Sequence, residues 1–493
     1  MTTGRNVEEG LPSGRNGRER PFLKWAAFLV IVLLALAIRV PRLADRPMHT
    51  DEAVNAYLIG KILEGEPYRY DPTDHHGPLY FALSDGICRL AGSGNLAALT
   101  AEELRLPAVL SSLLGILFFI PFSRVAGAAA AGFAALLWAL DPLCVYYGRY
   151  AIHESLFLSL TFGFLVSILL ARSTRAAGWF CMAGLCAGAM IATKATSVVA
   201  FAAAAAAMIS LRGKPAPGWR EAVLFVLSGA AVVLLCFTWG FRNWSAFGEI
   251  FAAVGHACSR AGGQGHEKPF IYYWELFLGM SSGPPTLALA IAGGWLAWRG
   301  TAHREAGRFL SIYALVVFLL YSLIPYKTPW LLLNIWLPLA LLAALALSFL
   351  WRRSRLLSEA AMLVLGFFIS KDLDDRVFRH AAGESNPLAY SHTSEDIRNL
   401  SGTMERLQKQ AARPLRIAVM ADDPWPLPWY LRSYPQVGYW RPGDAMPEAD
   451  IVILDQAEAE RLQLESKGWR PSIFCQRPGA LLLIYERAGK AGR

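Results

Sequence analysis

Charged residues are scarce in this sequence. They make up 17% of 493 residues, whereas hydrophobic residues make up 55% and the mean hydropathy is +0.35. A soluble core of this length does not need so apolar a composition, which argues against an ordinary soluble globular protein. The formal charge is +9, but the Lys and Arg residues lie in short clusters between apolar runs. Such clusters are typical of loops at an anionic membrane surface, so nucleic-acid binding is not expected.

Cysteine is also sparse, and its pattern suggests no special chemistry. Several of the seven cysteines lie inside apolar runs, and no Cys-x-x-Cys or Cys/His ligand spacing occurs. Buried small apolar side chains are the simplest interpretation. The sequence therefore predicts no disulfide framework. It also contains no internal repeat and no phosphate loop of the Gly-x-x-x-x-Gly-Lys-Ser/Thr type.

Long apolar runs, by contrast, occur throughout the first three quarters of the chain. Judged against about 20 residues per crossing, they lie near 22–40, 104–123, 126–141, 155–171, 177–192, 196–211, 221–239, 276–298, 309–325, 330–350 and 357–370. The sequence therefore predicts a polytopic α-helical membrane protein of about 11 transmembrane helices.

The distribution of basic residues predicts the orientation. The first run follows Arg15, Arg18, Arg20 and Lys24 and lacks a cleavage site, so it reads as an anchor with the N-terminus inside. Every even-numbered loop is then cytoplasmic and carries arginine. These residues are Arg124, Arg172, Arg175, Arg212, Arg220, Arg299, Arg304, Arg308, Arg352, Arg353 and Arg355. We expect a multi-pass protein of the cytoplasmic (inner) membrane.

Four regions follow from this reading. Residues 1–21 form a cytoplasmic tail, 22–370 the transmembrane domain with a long first external loop at 41–104, 371–414 a linker, and 415–493 a small extracytoplasmic α/β domain. Strands are expected at 415–420, 450–454 and 480–486, with a helix at 457–467 and another near 393–410.

The first external loop begins with an acidic pair, Asp51 and Glu52, directly after the first span. A carboxylate at a membrane surface is a candidate functional group. The alternative is structural, because Thr50 or Asp51 could cap the helix that follows. The loop continues with Asp71, Asp74, His75 and His76, whose side chains suit a divalent cation or a phosphate group. Their spacing fits no standard metal motif, and a solvated turn is the alternative.

Ionisable groups recur in the other external loops. Arg149, His153 and Glu154 lie at the start of the fourth span, where Arg149 and Glu154 could also simply neutralise each other. Lys194 lies in a very short turn, and snorkelling is the structural alternative. Five basic residues could bind an anionic head group, namely Arg149, Lys194, Arg242, Lys268 and Lys327.

A long first external loop that carries an Asp-Glu pair and two interfacial helices resembles the membrane glycosyltransferases of the GT-C superfamily. These include the protein mannosyltransferases and the aminoarabinose transferases of lipid A. The motifs at 49–53, 76–78, 265–269, 325–330 and 390–394 resemble one subgroup, the flippase-activity-associated protein family linked with surface glycosylation.

The resemblance implies an inverting transfer from a polyprenyl-phosphate-linked sugar to a lipid, glycan or protein acceptor outside the cytoplasm. Asp51 would be the base, with Glu52 and Glu154 as further catalytic residues. Candidate acceptor- or sugar-binding residues are His49, His76, His153, His266, Tyr326 and Trp330. No cofactor is required by this reading, and a divalent cation stays an open alternative. Two rivals remain, a flippase-associated or transport component and a scaffold without activity.

Overall fold

The computed structural model describes residues 21–487 apart from 74–75, 212–215, 246–247, 251, 253–254, 257–258, 260–261, 264 and 301–302. The predicted metal candidates Asp74 and His75 therefore lie outside the described residues. So do the basic residues Arg15, Arg18, Arg20, Arg212 and Lys214.

Helices dominate the described chain up to residue 410. They are α1 (Pro21–Arg39), α2 (Thr50–Leu63), α3 (Pro78–Ala91), α4 (Ala101–Leu117), α5 (Phe119–Ala126), α6 (Ala128–Leu140), α7 (Pro142–Gly148), α8 (Glu154–Thr174), α9 (Ala177–Ile191), α10 (Ser197–Ser210), α11 (Trp219–Phe237), α12 (Tyr272–Leu278), α13 (Gly283–Trp298), α14 (Arg304–Leu323), α15 (Leu332–Arg353), α16 (Arg355–Asp372) and α17 (Ile397–Gln410). A 3-10 turn at Pro329–Leu331 precedes α15, and a π-helix at Leu373–Arg379 follows α16.

Each predicted span coincides with helix in this structure. Among the described residues, five helical stretches are long and apolar enough to cross a membrane, or up to seven if each of two bent pairs is one span. The predicted number of about 11 spans therefore stays a prediction. Three shorter apolar helices lie at Trp25–Arg39, Ala177–Ile191 and Ser197–Ser210.

Within the predicted span at 276–298 the chain bends sharply, and α12 and α13 meet at an angle of 106°. Gly279 ends α12, and Pro284 and Pro285 begin α13, where proline cannot donate to a preceding turn. The buried carboxylate of Asp372 accepts hydrogen bonds from the backbone N–H groups of Ser281 and Ser282 at this break, at 3.0 and 2.8 Å. Hydropathy alone does not register such a break, since the connecting residues are also small or apolar.

Loops that alternate along the chain gather at opposite ends of the helix bundle. At one end the first external loop contacts the second through Asn55 Nδ2 and Ala151 O (2.8 Å) and the third through Gly77 N and Thr193 O (3.1 Å). At the other end His303 accepts a hydrogen bond from Arg352 and donates one to the carbonyl of Val125. Which end of the bundle faces the cytoplasm stays a prediction from the charge pattern.

The C-terminal domain is a five-stranded mixed sheet. Its strands are β1 (Ile417–Met420), β2 (Val437–Trp440), β3 (Ile451–Asp455), β4 (Trp469–Arg477) and β5 (Ala480–Arg487), in the order β2-β1-β3-β5-β4. Strands β1, β2 and β3 are parallel, and β4 and β5 form an antiparallel hairpin. The short helices α18 (Leu427–Tyr430) and α19 (Gln456–Leu462) lie between strands.

The two edge strands, β2 and β4, were not predicted from the sequence. Strand β2 has four residues, and β4 contains Pro471 and several exposed polar side chains, as an edge strand can tolerate. Helix α17 lies in the predicted linker 371–414, and its residues Ile397, Leu400 and Met404 pack into the core of the sheet.

Candidate active site

The acidic pair lies at the start of α2, and His49 caps this helix. The Nδ1 atom of His49 accepts a hydrogen bond from the backbone N–H of Asp51 at 3.0 Å, and the Glu52 carboxylate accepts one from the N–H of His49. The alternative in which Thr50 or Asp51 acts as the cap is therefore wrong. Because the imidazole performs this task, the carboxylate of Asp51 is not used by the helix end.

Asp51 keeps a half-buried carboxylate that no described residue binds by a hydrogen bond or ion pair. It lies near the aromatic residues Tyr150 and Tyr390, whose phenol pKa values its charge raises further beyond the effect of burial. A carboxylate with free lone pairs in such surroundings can accept a proton from a bound hydroxyl or amide.

Glu52 has the opposite environment, although it is the next residue. Its fully buried carboxylate accepts hydrogen bonds from Arg105 Nη2 and Nε at 2.7 and 2.8 Å and from the N–H of Ala151 at 2.9 Å. Burial alone would raise the pKa of Glu52, but the charges of Arg105 and Arg46 outweigh burial and lower it to about 2. Glu52 is therefore a fixed anion that ties α2 to α4 and to the second external loop.

Arg105 was not predicted from the sequence. It lies in the first turns of α4 within an apolar run, is fully buried, and also donates to the carbonyls of Leu43 and Arg46 at 2.7 and 3.0 Å. A charged residue inside an apolar run is the signal that could have identified it.

Residues 386–394, which we call the strap, run from the end of the helix bundle toward the C-terminal domain and cover the Asp51 loop. His49 Nε2 donates to the carbonyl of Tyr390 at 2.9 Å, and Thr393 Oγ1 donates to the carbonyl of Met48 at 2.6 Å. The two ring nitrogens of His49 therefore have different roles, because Nδ1 accepts and Nε2 donates. The ring of His392 packs against those of His49 and Tyr150.

Two motifs far apart in sequence pair beside the strap. The N–H of Lys327 donates to the carbonyl of His266, and the N–H of Lys268 donates to the carbonyl of Pro325, both at 3.1 Å. The ring of Tyr326 lies 4.9 Å from that of His266, which in turn is 2.8 Å from the hydroxyl of Tyr390. Pairing of these loops places predicted site residues of both motifs at one surface.

The two predicted cations in these paired loops differ in what they already bind. Lys327 is buried, and its Nζ donates to the carbonyls of Lys268 and Ile324, with no carboxylate partner among the described residues. Burial lowers its pKa. Lys268 is half-buried, with Nζ 5.7 Å from the centre of the Tyr390 ring. The ring of Trp330 also lies near that of Tyr390, at 6.1 Å between ring centres.

The guanidinium of Arg149 already binds backbone carbonyls of the protein. It donates to the carbonyls of Ile38, Arg39, Pro41 and Arg42 at 2.7–3.2 Å. It therefore satisfies the C-terminal carbonyls of α1, as expected for a cation at a helix C-terminus. Arg242, by contrast, is exposed.

Glu154 and Lys194 form a buried ion pair, so the expectation that Glu154 might only neutralise Arg149 is wrong. Lys194 does not snorkel to a surface. The second carboxylate oxygen of Glu154, Oε2, is buried without a hydrogen-bond partner in the described part of the chain. The ring of the neighbouring His153 packs on that of His76 at 4.8 Å between ring centres.

The loop of His76 lies directly against the turn of Lys194. Gly77 N donates to Thr193 O and Leu79 N donates to Ala192 O, at 3.1 and 3.0 Å. A Cβ atom at Gly77 would lie 2.3 Å from the carbonyl oxygen of Ala192. Only glycine fits this approach of two backbones.

Comparison with known proteins shows which sequence family and which solved structures this chain resembles. Residues 75–241, about a third of the chain, match the family of dolichyl-phosphate-mannose-protein mannosyltransferases. The crystal structure of ArnT from Cupriavidus metallidurans bound to undecaprenyl phosphate superposes with a TM-score of 0.67 at 17% identity, over 95% of this chain and 99% of that one. The chain has the GT-C fold.

Other GT-C proteins match less closely. The oligosaccharyltransferase AglB from Archaeoglobus fulgidus, in complex with an inhibitory peptide and a dolichol-phosphate, gives a TM-score of 0.54 at 12% identity, over 96% of this chain and 75% of that one. The mycobacterial arabinofuranosyltransferase AftD gives 0.51 at 14% identity, over 96% and 40%. No curated protein matched the sequence in a search.

A metal site has no support from the residues that the structure describes. None of them form a group of three or more His, Cys, Asp or Glu side chains that could hold an ion. The predicted candidate combined His76 with Asp74 and His75, which lie outside the described part of the chain.

The close approach at Gly77 gives a stability prediction. We expect Gly77→Ala to lower the free energy of unfolding by about 1–3 kcal/mol, because the new methyl group must displace the turn that carries Lys194. Gly86→Ala on α3 is the control, since a Cβ there meets nothing within 4 Å and alanine favours the helix. Denaturation of the purified protein in detergent measures both, and equal stability of the two variants would contradict the packing described.

The burial of His392 predicts that the stability of the folded protein depends on pH. Burial lowers the pKa of His392 well below its usual value, and His49 and Arg46 lower it further. Below about pH 6.5 the unfolded chain binds a proton at this position and the folded protein does not, so stability falls by about 1.4 kcal/mol per pH unit.

Thermal unfolding in detergent between pH 7.5 and 5 measures this effect. We expect His392→Gln to flatten the dependence, whereas His380→Gln at an exposed position serves as the control. If the stability of the His392→Gln variant depended on pH as steeply as that of the wild type, groups other than His392 would cause the dependence.

Proposed function

We propose that this protein is a membrane glycosyltransferase that moves a sugar from a polyprenyl-phosphate-linked donor to an acceptor outside the cytoplasm. The observation that carries the proposal is the contrast between two adjacent carboxylates. Glu52 is saturated by Arg105 and backbone donors, whereas Asp51 is held by its backbone and has an unused carboxylate next to aromatic side chains. This is the arrangement needed for a positioned general base.

The proposed reaction is a single displacement. The carboxylate of Asp51 takes the proton from the acceptor as its oxygen or nitrogen forms a bond to the anomeric carbon. The bond between that carbon and the phosphate oxygen breaks, and its electron pair leaves with the polyprenyl phosphate. One displacement inverts the anomeric configuration.

Positive charge for the departing phosphate would come from the paired loops. Lys268 is half-buried beside Tyr390, and the buried ammonium of Lys327 has two carbonyl partners and one remaining N–H. Cations fixed before the reaction stabilise charge that develops on a leaving group. Arg242 is a further candidate from its exposed loop. Arg149 and Lys194 are already occupied by carbonyls and by Glu154, so we assign them structural roles.

Glu52 and Glu154 become positioning residues in this proposal. Glu52 orients α2 through Arg105, and Glu154 orients the Lys194 turn through its ion pair with Lys194. His49 holds Asp51 and the strap. His76, His153, His266, Tyr326 and Trp330 remain the candidates for contacts to the sugar or acceptor.

The comparisons support the substrate class. The ArnT structure contains bound undecaprenyl phosphate and the AglB structure contains a dolichol-phosphate, and the matched sequence family is that of dolichyl-phosphate-mannose-protein mannosyltransferases. We further propose that the protein lies in the inner membrane with its N-terminus inside and the site outside. A transporter would place polar groups at the bilayer midplane in broken helices, whereas these motifs meet at one end of the bundle.

The test uses purified protein in proteoliposomes with labelled sugar on undecaprenyl phosphate and, separately, on a nucleotide. We expect label to move from the lipid to acceptors extracted from the host envelope, and none from the nucleotide donor. No transfer from any lipid donor, together with movement of the lipid between leaflets, would replace the proposal by the flippase reading.

A further inference from the structure

Tyr390 lies at a junction of several site motifs, although it follows all the membrane helices in sequence. Its carbonyl accepts from His49 Nε2 at 2.9 Å, and its hydroxyl is 2.8 Å from His266 Nδ1. The Lys268 ammonium and the Trp330 ring flank it at 5.7 and 6.1 Å. A side chain bordered by this many site residues lies in the site itself.

The chain conformation next to Tyr390 is unusual. Ser391 has a φ of +47°, in the left-handed region that residues other than glycine rarely adopt. Because of this turn, two side chains of the strap reach the same site. The hydroxyl of Tyr390 lies beside His266, and the ring of His392 packs on that of His49. Uncommon backbone conformations persist where surrounding contacts fix them, and such positions cluster at functional sites.

The position of Tyr390 relative to Asp51 and Lys268 determines which part of a bound donor the Tyr390 side chain can contact. The imidazole of His49 joins the backbone of Asp51 to that of Tyr390, and Lys268 lies over the Tyr390 ring. In a single displacement the base and acceptor lie on one side of the anomeric carbon and the departing phosphate on the other. A group between the two therefore faces the sugar.

We propose that Tyr390 is a sugar-binding residue that determines donor specificity, with its ring and that of Trp330 against the sugar and its hydroxyl, held by His266, on a sugar hydroxyl. This inference rests on the proposed function. Aromatic rings combine apolar area with a polar handle, which suits a sugar. The strap thereby makes the C-terminal region part of the donor site.

Two lipids distinguish contact with the sugar from contact with the phosphate. Undecaprenyl-phosphate-mannose carries both groups, whereas undecaprenyl phosphate lacks the sugar. We expect Tyr390→Phe to weaken binding of the mannose lipid about three- to tenfold, as for loss of one hydrogen bond, and to leave binding of undecaprenyl phosphate unchanged. Tyr390→Ala should weaken the mannose lipid further, because the ring is lost as well.

The contact between His49 and the strap is kept in these variants, because His49 binds the backbone carbonyl of Tyr390 and not its side chain. Tyr439→Phe, at an exposed position on β2, is the matched control. Equal weakening of both lipids by Tyr390→Phe would place the hydroxyl on the phosphate and overturn the inference, as would no change in either. Failure of the wild-type protein to bind either lipid would instead contradict the proposed function, and this inference with it.

Discussion

Asp51→Asn is expected to lower the rate of sugar transfer by about 10²–10⁴-fold while donor binding is preserved. The amide has nearly the size of the carboxylate but cannot take the acceptor proton. Because the Asp51 side chain has no partner among the described residues, its replacement disturbs no contact of the fold. Transfer rates and donor affinity are measured on matched amounts of protein.

Asp85→Asn provides the matched control for this variant. Asp85 lies on α3 in the same loop, and among the described residues its carboxylate binds only Arg89, one turn further along the helix, at 2.8 Å. The control should transfer sugar at the wild-type rate. If Asp51→Asn also transferred at that rate, Asp51 would not be the base; if its donor affinity fell with the rate, the carboxylate would be acting in binding.

Arg105→Met is expected to destabilise the protein by about 3–5 kcal/mol. The methionine leaves the fully buried Glu52 carboxylate without its main counter-charge and frees the carbonyls of Leu43 and Arg46. Denaturation in detergent measures the loss. Transfer should fall too, because the helix that presents Asp51 loses its anchor.

Glu52→Gln in the Arg105→Met background separates charge from packing. The neutral amide oxygen can still accept from the N–H of Ala151, and no unpaired buried charge remains. We expect the double variant to regain part of the lost stability. A double variant less stable than Arg105→Met alone would show that the buried charge is not the cause of the loss.

The fold could be predicted largely from the sequence because the membrane imposes simple rules. Apolar runs at 155–171 and 330–350 became α8 and α15, and the α2 and α3 helices of the first loop were found from their patterning. The bend between α12 and α13 was missed, since it depends on Asp372 from another helix. The edge strands β2 and β4 were missed because short or polar strands carry little pattern.

The sequence predicted which types of residue form the candidate site. It was less informative about which of these residues contact one another. Asp51 stood out by its position after the first span, but its difference from Glu52 depends on Arg105, 53 residues further along. Lys194 was expected to meet an anion, and the anion in this structure is Glu154. Tyr390 and His392 belonged to a motif noted in the sequence, yet only the folded chain brings them to His49.

The configuration of the transferred sugar tests the account most directly. Purified wild-type protein is supplied with undecaprenyl phosphate carrying a sugar of known anomeric configuration, and the linkage in the isolated product is determined by NMR. Direct attack by an acceptor that Asp51 deprotonates predicts a product of the opposite configuration. A product of the same configuration would require a covalent sugar-enzyme intermediate, and would contradict a single displacement with Asp51 as the base.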